Sequence, residues 1–363
     1  MMIGAMPEYL LWRSSGTALQ EVLNAYRDLV VSAFLDLHRV IVGLDRELAT
    51  ETADLQAELD GDTFFRVLLA PETTFRLLWG GGGDARERMA FVRDSLAFER
   101  YRDQPPPPDI SGWSVLGDFG LSRGGHLGAE WQVPGTVSVD FDSPRARAVS
   151  FDRTVVNTDA RPEWTADEIA QVHLRLEEAW RLIDWVPAAA DMARTCNRVV
   201  VCQKDPNLPD QLTSGSTGQF VGRSFLTNPH LAGGPEAIAE GLVHEGIHGL
   251  LYMQEGLKPW VDDHVYDLND FVRSPWSGSW LGLRPFLQAC FVWYGLLGFW
   301  TTIVMGQPAD GGPARSRVDT ALSGFLGSGL TERLGPLRSS VADDVLSAID
   351  VMQDHVVSAV ARS

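Results

Sequence analysis

The five residues His244-Glu245-Gly246-Ile247-His248 constrain this chain more than any other stretch. They sit in an apolar run whose Ala237, Ile238, Leu242, Val243, Ile247, Leu250 and Leu251 recur at helical spacing, which predicts a mostly buried helix from about Pro235 to Glu255. Histidines four residues apart on a helix stand one above the other on one face, close enough to share a metal ion. Glu245 lies roughly 100° round the helix from His244, where its carboxylate can reach a water on that ion. Burying two imidazoles and a carboxylate without partners is costly, so a shared metal is the simplest account of the pattern.

Two histidines do not complete a site. Zinc in a hydrolase and non-haem iron in an oxygenase both need a third protein ligand, with positions left open for water, substrate or cosubstrate. Glu255 is seven residues past His248, roughly 10 Å further along the helix axis, too far to share the ion. The metzincin spacing is absent, because Leu251 and Gln254 occupy the places of its glycine and third histidine. His264, in the run Asp262-Asp263-His264 beyond Pro259, is the leading candidate for the third ligand, with Asp263 and Asp267 as alternatives.

The formal net charge of −18 argues against a nucleic-acid backbone as partner, since phosphate contact needs a basic surface. Three cysteines, Cys196, Cys202 and Cys290, make no even disulfide framework and no C-x-x-C spacing, which suits a reducing cytoplasm. Residues 1–11 lack the basic start and apolar core of a secretory signal. The uncharged stretch 285–309 is long enough to cross a bilayer. Gln288, Thr301, Thr302, internal glycines and the lack of flanking Lys/Arg clusters favour a core helix packed on the metal helix instead.

Residues 1–104 read as a helical N-terminal region, with one apolar face through Val22, Tyr26, Leu29, Val30, Phe34 and Leu37. Gly80 to Gly83 breaks this series. Without a P-loop lysine the run reads as a helix connection and not a phosphate cradle. The proline stretch at 105–109 reads as a stiff linker. From 110 onward the period changes to two, with Val137, Val139 and Phe141 alternating with polar residues, so short antiparallel strands are expected. Thr165 to Glu168 is a capping box opening a helix to about Trp185, and Arg198 to Val201 is a short β-branched strand. Gly218 to Leu226 reads as a strand directly before the metal helix, to whose edge an extended peptide can add by main-chain hydrogen bonds. His126, His173 and His355 read as surface or structural residues, and residues 314–363 as helical, ending in an amphipathic helix that packs on the domain or a second subunit. The fold expected is α+β, mainly helical, with a small antiparallel sheet beside the H-E-x-x-H helix, the 110–363 portion forming the metal-binding domain.

Downstream of the motif, Ser274-Pro275-Trp276-Ser277, Arg284-Pro285 and Leu287-Gln288-Ala289-Cys290-Phe291-Val292-Trp293 complete a pattern over roughly residues 215–300. It resembles the H-E-x-x-H peptide-modification proteins found beside ribosomally made peptide natural products, some of them iron(II)- and 2-oxoglutarate-dependent peptide β-hydroxylases. The resemblance implies Fe(II) on His244 and His248, 2-oxoglutarate as cosubstrate with Arg284 or Arg223 on its distal carboxylate, and hydroxylation of a side-chain carbon in a precursor peptide with or without a leader segment. Glu245 would then position water or substrate. The family carries a histidine after Arg-Pro where this chain has Gln288. Either His264 replaces it, Gln288 ligates weakly, or this chain differs in its chemistry. Two other readings use the same residues: a zinc peptidase with Glu245 as general base, and a non-catalytic peptide-binding protein with a vestigial metal site. The sequence leaves the oligomeric state open.

Overall fold

The structure is a computed structural model that describes residues 3–13, 17–102, 107, 109–122, 125–126, 132–133, 137–141, 143–144, 162–231, 233–262, 271–306 and 312–362. The helical N-terminal region comprises α1 (Met6–Tyr9), α2 (Thr17–Leu44), α3 (Arg46–Glu58), α4 (Gly61–Leu68), α5 (Pro71–Leu78) and α6 (Ala85–Glu99). The glycine run connects α5 to α6, with Gly80, Gly82 and Gly83 at positive φ, a conformation L side chains rarely adopt. Asp84 then starts α6 with a capping box closed by Glu87. Three of the four prolines of the expected linker lie outside the described residues.

Three very short strands, β1 (Gly112–Trp113), β2 (Gly120–Ser122) and β3 (Gly125–His126), form an antiparallel sheet. The main sheet is built from β4 (Gln132–Val133), β5 (Val137–Asp140), β6 (Val199–Gln203), β7 (Thr213–Ser216) and β8 (Arg223–Thr227), in the order β4-β5-β6-β8-β7. Between β5 and β6 run α7 (Ala166–Ile183), opened by the Thr165/Glu168 capping box, and α8 (Pro187–Cys196). The helix that carries the H-E-x-x-H motif is α9 (Pro235–Leu257). After it come the hairpin β9 (Phe271–Arg273) and β10 (Trp280–Gly282), then α10 (Leu283–Gly306), α11 (Gly312–Ser323) and α12 (Asp343–Val360).

The mainly helical α+β architecture is as the pattern implies, but the main sheet is mixed and not antiparallel. β5, β6 and β8 pair in parallel, and only the outer strands β4 and β7 run antiparallel to their neighbours. The α7–α8 crossover supplies the long connection that a parallel β5/β6 pair requires. All of Val199 to Cys202 is buried, the unbroken apolar run of a strand covered on both faces. In β5 the polar positions are buried as well. Ser138 Oγ donates to Asp118 Oδ2 at 2.9 Å, and Asp140 accepts from the Ser143 hydroxyl at 2.8 Å. The alternation there marks a polar network facing inward, centred on Asp118, which also pairs with Arg66 and Arg102.

The predicted strand over 218–226 is divided. Residues Gly218–Phe220 form a 3-10 turn, Gly222 has φ +90°, and the strand begins at Arg223. One hydrophobic core joins the N-terminal helices to the remainder, with Tyr26 and Val30 of α2 in the same cluster as Ile247 and Leu251 of α9. Ion pairs from Arg66 and Glu72 to Asp118 and Arg223 reinforce that junction.

Helix α10 is long and apolar enough to cross a membrane by length and composition, and half of its most apolar window is buried inside the protein. It packs directly on α9. A Cβ on Gly295 would come 2.7 Å from Ile247 Cδ1, and the Gly295 carbonyl accepts the Trp12 indole N–H at 2.8 Å.

Candidate metal centre

Helix α9 begins with Pro235 in its first turn, where the missing N–H is no loss, and runs for 23 residues. Its buried face carries Ile238, Leu242, Val243, Ile247, Leu250 and Leu251. The two glycines interleaved with the motif have a packing role. A Cβ on Gly246 would lie 3.1 Å from Ala193 Cα, and one on Gly249 would lie 3.0 Å from the Cys196 carbonyl oxygen. Helix α8 therefore lies close along the back of α9. Asn197, at its C-terminal end, donates to the Leu242 carbonyl at 2.9 Å. The back of α9 is thus clamped, and the motif's polar side chains face the opposite side.

On that side His244 and His248 are half-buried, their ring centroids 4.9 Å apart and their planes at 50°. Enclosure pushes the His244 pKa down to about 4, the negative charge of Glu245 opposing the shift and His248 adding to it. A third of the His244 side chain stays accessible, so solvent tempers that depression, and the ring is neutral at pH 7 in either case. A neutral imidazole is the form that binds a metal.

Glu245 is only 3% exposed. Its Oε1 accepts the Ser214 hydroxyl at 2.7 Å and its Oε2 the Ser216 hydroxyl at 2.5 Å, while Oε1 stands 3.9 Å from His244 Nε2. Both serines belong to β7, whose alternate positions 214 and 216 point to one face. β7 is the last strand of the sheet, bonded to β8 along one side. Thus the sheet edge beside the motif is β7, whereas β8 is an interior strand paired on both sides.

His248 Nδ1 lies 2.8 Å from Gln288 Oε1, and Gln288 Nε2 lies 3.4 Å from Glu255 Oε2. Arg284 Nε closes the series on Glu255 Oε1 at 3.0 Å. Burial raises the Glu255 pKa, with Arg284 and Gln288 opposing the shift. Tyr252, one turn beyond His248, stacks on its ring at 5.7 Å with planes 19° apart, and its hydroxyl donates to the Ser216 carbonyl at 3.4 Å. These groups open onto a cavity of about 630 Å³ whose far wall is Tyr26, Leu29, Leu78 and the half-exposed Trp79 from the N-terminal helices.

The structure sets His248, Gln288 and Arg284 on one cavity, with His244 beside His248 and Glu245 beside His244, off the cavity lining. It places Arg223 elsewhere. That guanidinium is 3% exposed, ion-paired to the buried Glu72 and set over the Phe220 ring at 4.8 Å, and it does not line the cavity. An interior strand position facing helix α5 removes it as an anchor for a cosubstrate in this cavity. Gln288 stands behind His248, where its oxygen meets the ring at Nδ1. His264, Asp263 and Asp267 lie outside the described residues. Among the described residues no cluster of three His, Cys, Asp or Glu is arranged to hold a metal. The donor set present, two imidazoles one helical turn apart with one ring neutral at pH 7 and the other fixed by an amide, suits two ligand positions of zinc or iron(II).

Sequence reasoning missed Ser214, Ser216 and Tyr252. Tyr252 was legible, being four residues from His248 on the same helix face. The serines were not, because their partnership with Glu245 depends on how β7 is laid against α9. His173 packs near Phe141, with ring centroids 5.7 Å apart, and His355 Nδ1 meets the Tyr294 hydroxyl at 2.8 Å, both away from the motif. No family model matches the chain, and no curated protein matches it.

Proposed function

We propose that this protein is a metal-dependent enzyme that modifies peptides, with His244 and His248 as two ligands of an iron(II) ion and 2-oxoglutarate as cosubstrate. The observation that carries this reading is the state of Glu245: buried, with each carboxylate oxygen held by a serine of the edge strand. A glutamate fixed in that way suits holding the helix and the strand in register more than shuttling protons. Bound iron and 2-oxoglutarate together supply hydroxylation of a C–H bond by O₂, with succinate and CO₂ as the other products. The chain's own residues bind and orient. The outer edge of β7 offers main-chain groups to an extended peptide, a mode in which backbone hydrogen bonds give affinity and side-chain pockets give specificity. Arg284, on the cavity wall, supplies a guanidinium for the distal carboxylate of 2-oxoglutarate. A cytoplasmic setting belongs to the same reading, supported by three cysteines that are free and buried.

A second reading, zinc-dependent peptide hydrolysis, is favoured by one distance. Glu245 Oε1 is 3.9 Å from His244 Nε2, so its carboxylate would stand beside an ion held by that nitrogen, where it could serve as general base. Glu245→Gln separates the two. The amide keeps a partner for both serine hydroxyls, so the hydroxylase retains turnover to within about tenfold, whereas a hydrolase loses its base and about 10²–10⁴-fold in rate. Anaerobic iron loading followed by succinate measurement is the direct test. Retained zinc, peptide cleavage and no succinate would overturn the oxygenase reading.

A further inference from the structure

The series Arg284, Glu255, Gln288, His248 determines which nitrogen of His248 carries its proton. Burial raises the Glu255 pKa, but Arg284 Nε stands 3.0 Å from its Oε1 and opposes that shift, and the carboxylate of this ion pair offers Gln288 only acceptors. The Gln288 amide must therefore turn its NH₂ toward Glu255 Oε2, at 3.4 Å, and its carbonyl toward His248, at 2.8 Å. The opposite amide orientation would set a carbonyl oxygen against a carboxylate oxygen. A carbonyl has no hydrogen to give, so the proton of this hydrogen bond belongs to His248 Nδ1, and Nε2 is left with a lone pair.

We infer that Gln288 is a positioning residue that holds His248 in its Nδ1–H form and presents Nε2 as the metal-binding nitrogen. This rests on the metal reading above for its purpose, but not for its geometry. It also assigns a role to the residue standing where the resembling family carries a histidine. The Gln288 oxygen is engaged at Nδ1, on the side of the ring remote from an ion at Nε2, so it orients a ligand and is not one. Groups that accept the second N–H of a metal-binding histidine typically change metal affinity about 10–100-fold when removed. Tyr252, stacked on the same ring, restrains its tilt but offers nothing at Nδ1.

The test uses the full chain labelled with ¹⁵N-histidine and freed of metal. Long-range ¹H–¹⁵N correlation should show His248 as the Nδ1–H tautomer, and Gln288→Leu should shift it toward Nε2–H or a mixture. The same substitution should weaken Zn²⁺ binding about 10–100-fold in competition with a chromophoric chelator. The exchange variant Gln288→Glu with Glu255→Gln should restore both readouts, because the carboxylate then accepts from His248 and from the amide at 255 with the same total charge. An Nε2–H tautomer in the unsubstituted protein, or a tautomer unmoved by Gln288→Leu, overturns the inference. An Nδ1–H tautomer in a protein that takes up neither Zn²⁺ nor Fe²⁺ upholds the control of the tautomer by Gln288 but overturns its metal-binding purpose, and with it the proposed function.

Discussion

Ser216 donates its hydroxyl to Glu245 Oε2 at 2.5 Å, joining an edge strand to the glutamate of the helix motif. With Ser214 on the other oxygen, the carboxylate has a partner at each end although it is almost wholly buried. Replacing both serines by alanine leaves that charge without its protein donors, at roughly 1–3 kcal/mol for each hydrogen bond removed. Urea denaturation of Ser214→Ala/Ser216→Ala, which removes two such bonds, should show a destabilisation of roughly 2–6 kcal/mol. Adding Glu245→Gln to the pair should recover part of it, since a neutral amide is less costly to leave unpaired.

The Arg223–Glu72 pair predicts a stability effect without a site effect. Both partners are buried, and Arg76 also reaches Glu72 at 2.9 Å. Arg223→Met should destabilise the fold by about 3 kcal/mol, the lower end of the range for breaking a buried pair, because Arg76 still compensates Glu72. Zn²⁺ affinity of the folded protein should stay within twofold of the unsubstituted value. A large drop in metal binding would mean that Arg223 acts on the site after all.

Gly249 sets two effects against each other. Alanine has the higher helix propensity, by about 1 kcal/mol, but its Cβ would lie 3.0 Å from the Cys196 carbonyl oxygen, where overpacking costs about 1–3 kcal/mol. A backbone oxygen cannot swing aside as a side chain can, so Gly249→Ala should be net destabilising by up to about 2 kcal/mol. Thermal melts beside Gly256→Ala, whose Cβ would meet nothing nearer than Tyr26 at 4.0 Å, check this; that variant should be neutral or stabilised.

The metal-free protein should lose stability on mild acidification because of His244. Its folded pKa, about 4, lies below the ordinary 6.5, so protons bind the unfolded chain more readily. The contribution is fully present above pH 6.5 and is lost as the pH falls toward 4. Chelator-treated protein should unfold at progressively lower urea over that window, and His244→Gln should flatten this part of the profile. An unchanged slope in the variant would show that other groups set it.

Much of the site could be read from the chain because it is local. Spacing alone placed His244 and His248 on one helical face, and Thr165 with Glu168 marked the start of α7, since both depend on residues within one turn of each other. The direction of the strands could not be read in the same way. Val137 to Asp140 alternates as a half-exposed strand would, and only the packing of Asp118 against Ser138 makes its polar face an interior one. Arg223 looked available because a charged residue in a strand normally faces water, until the fold brought it to Glu72 from 151 positions away. Gln288, 40 residues beyond His248, gained its meaning from the crossing of two helices. The sequence by itself determined that His244 and His248 share one face of one helix, because backbone periodicity dictates it. The tertiary structure decided which groups stand behind that face and which strand edge lies beside it, because hydrogen bonds between distant residues form only where packing brings them within reach.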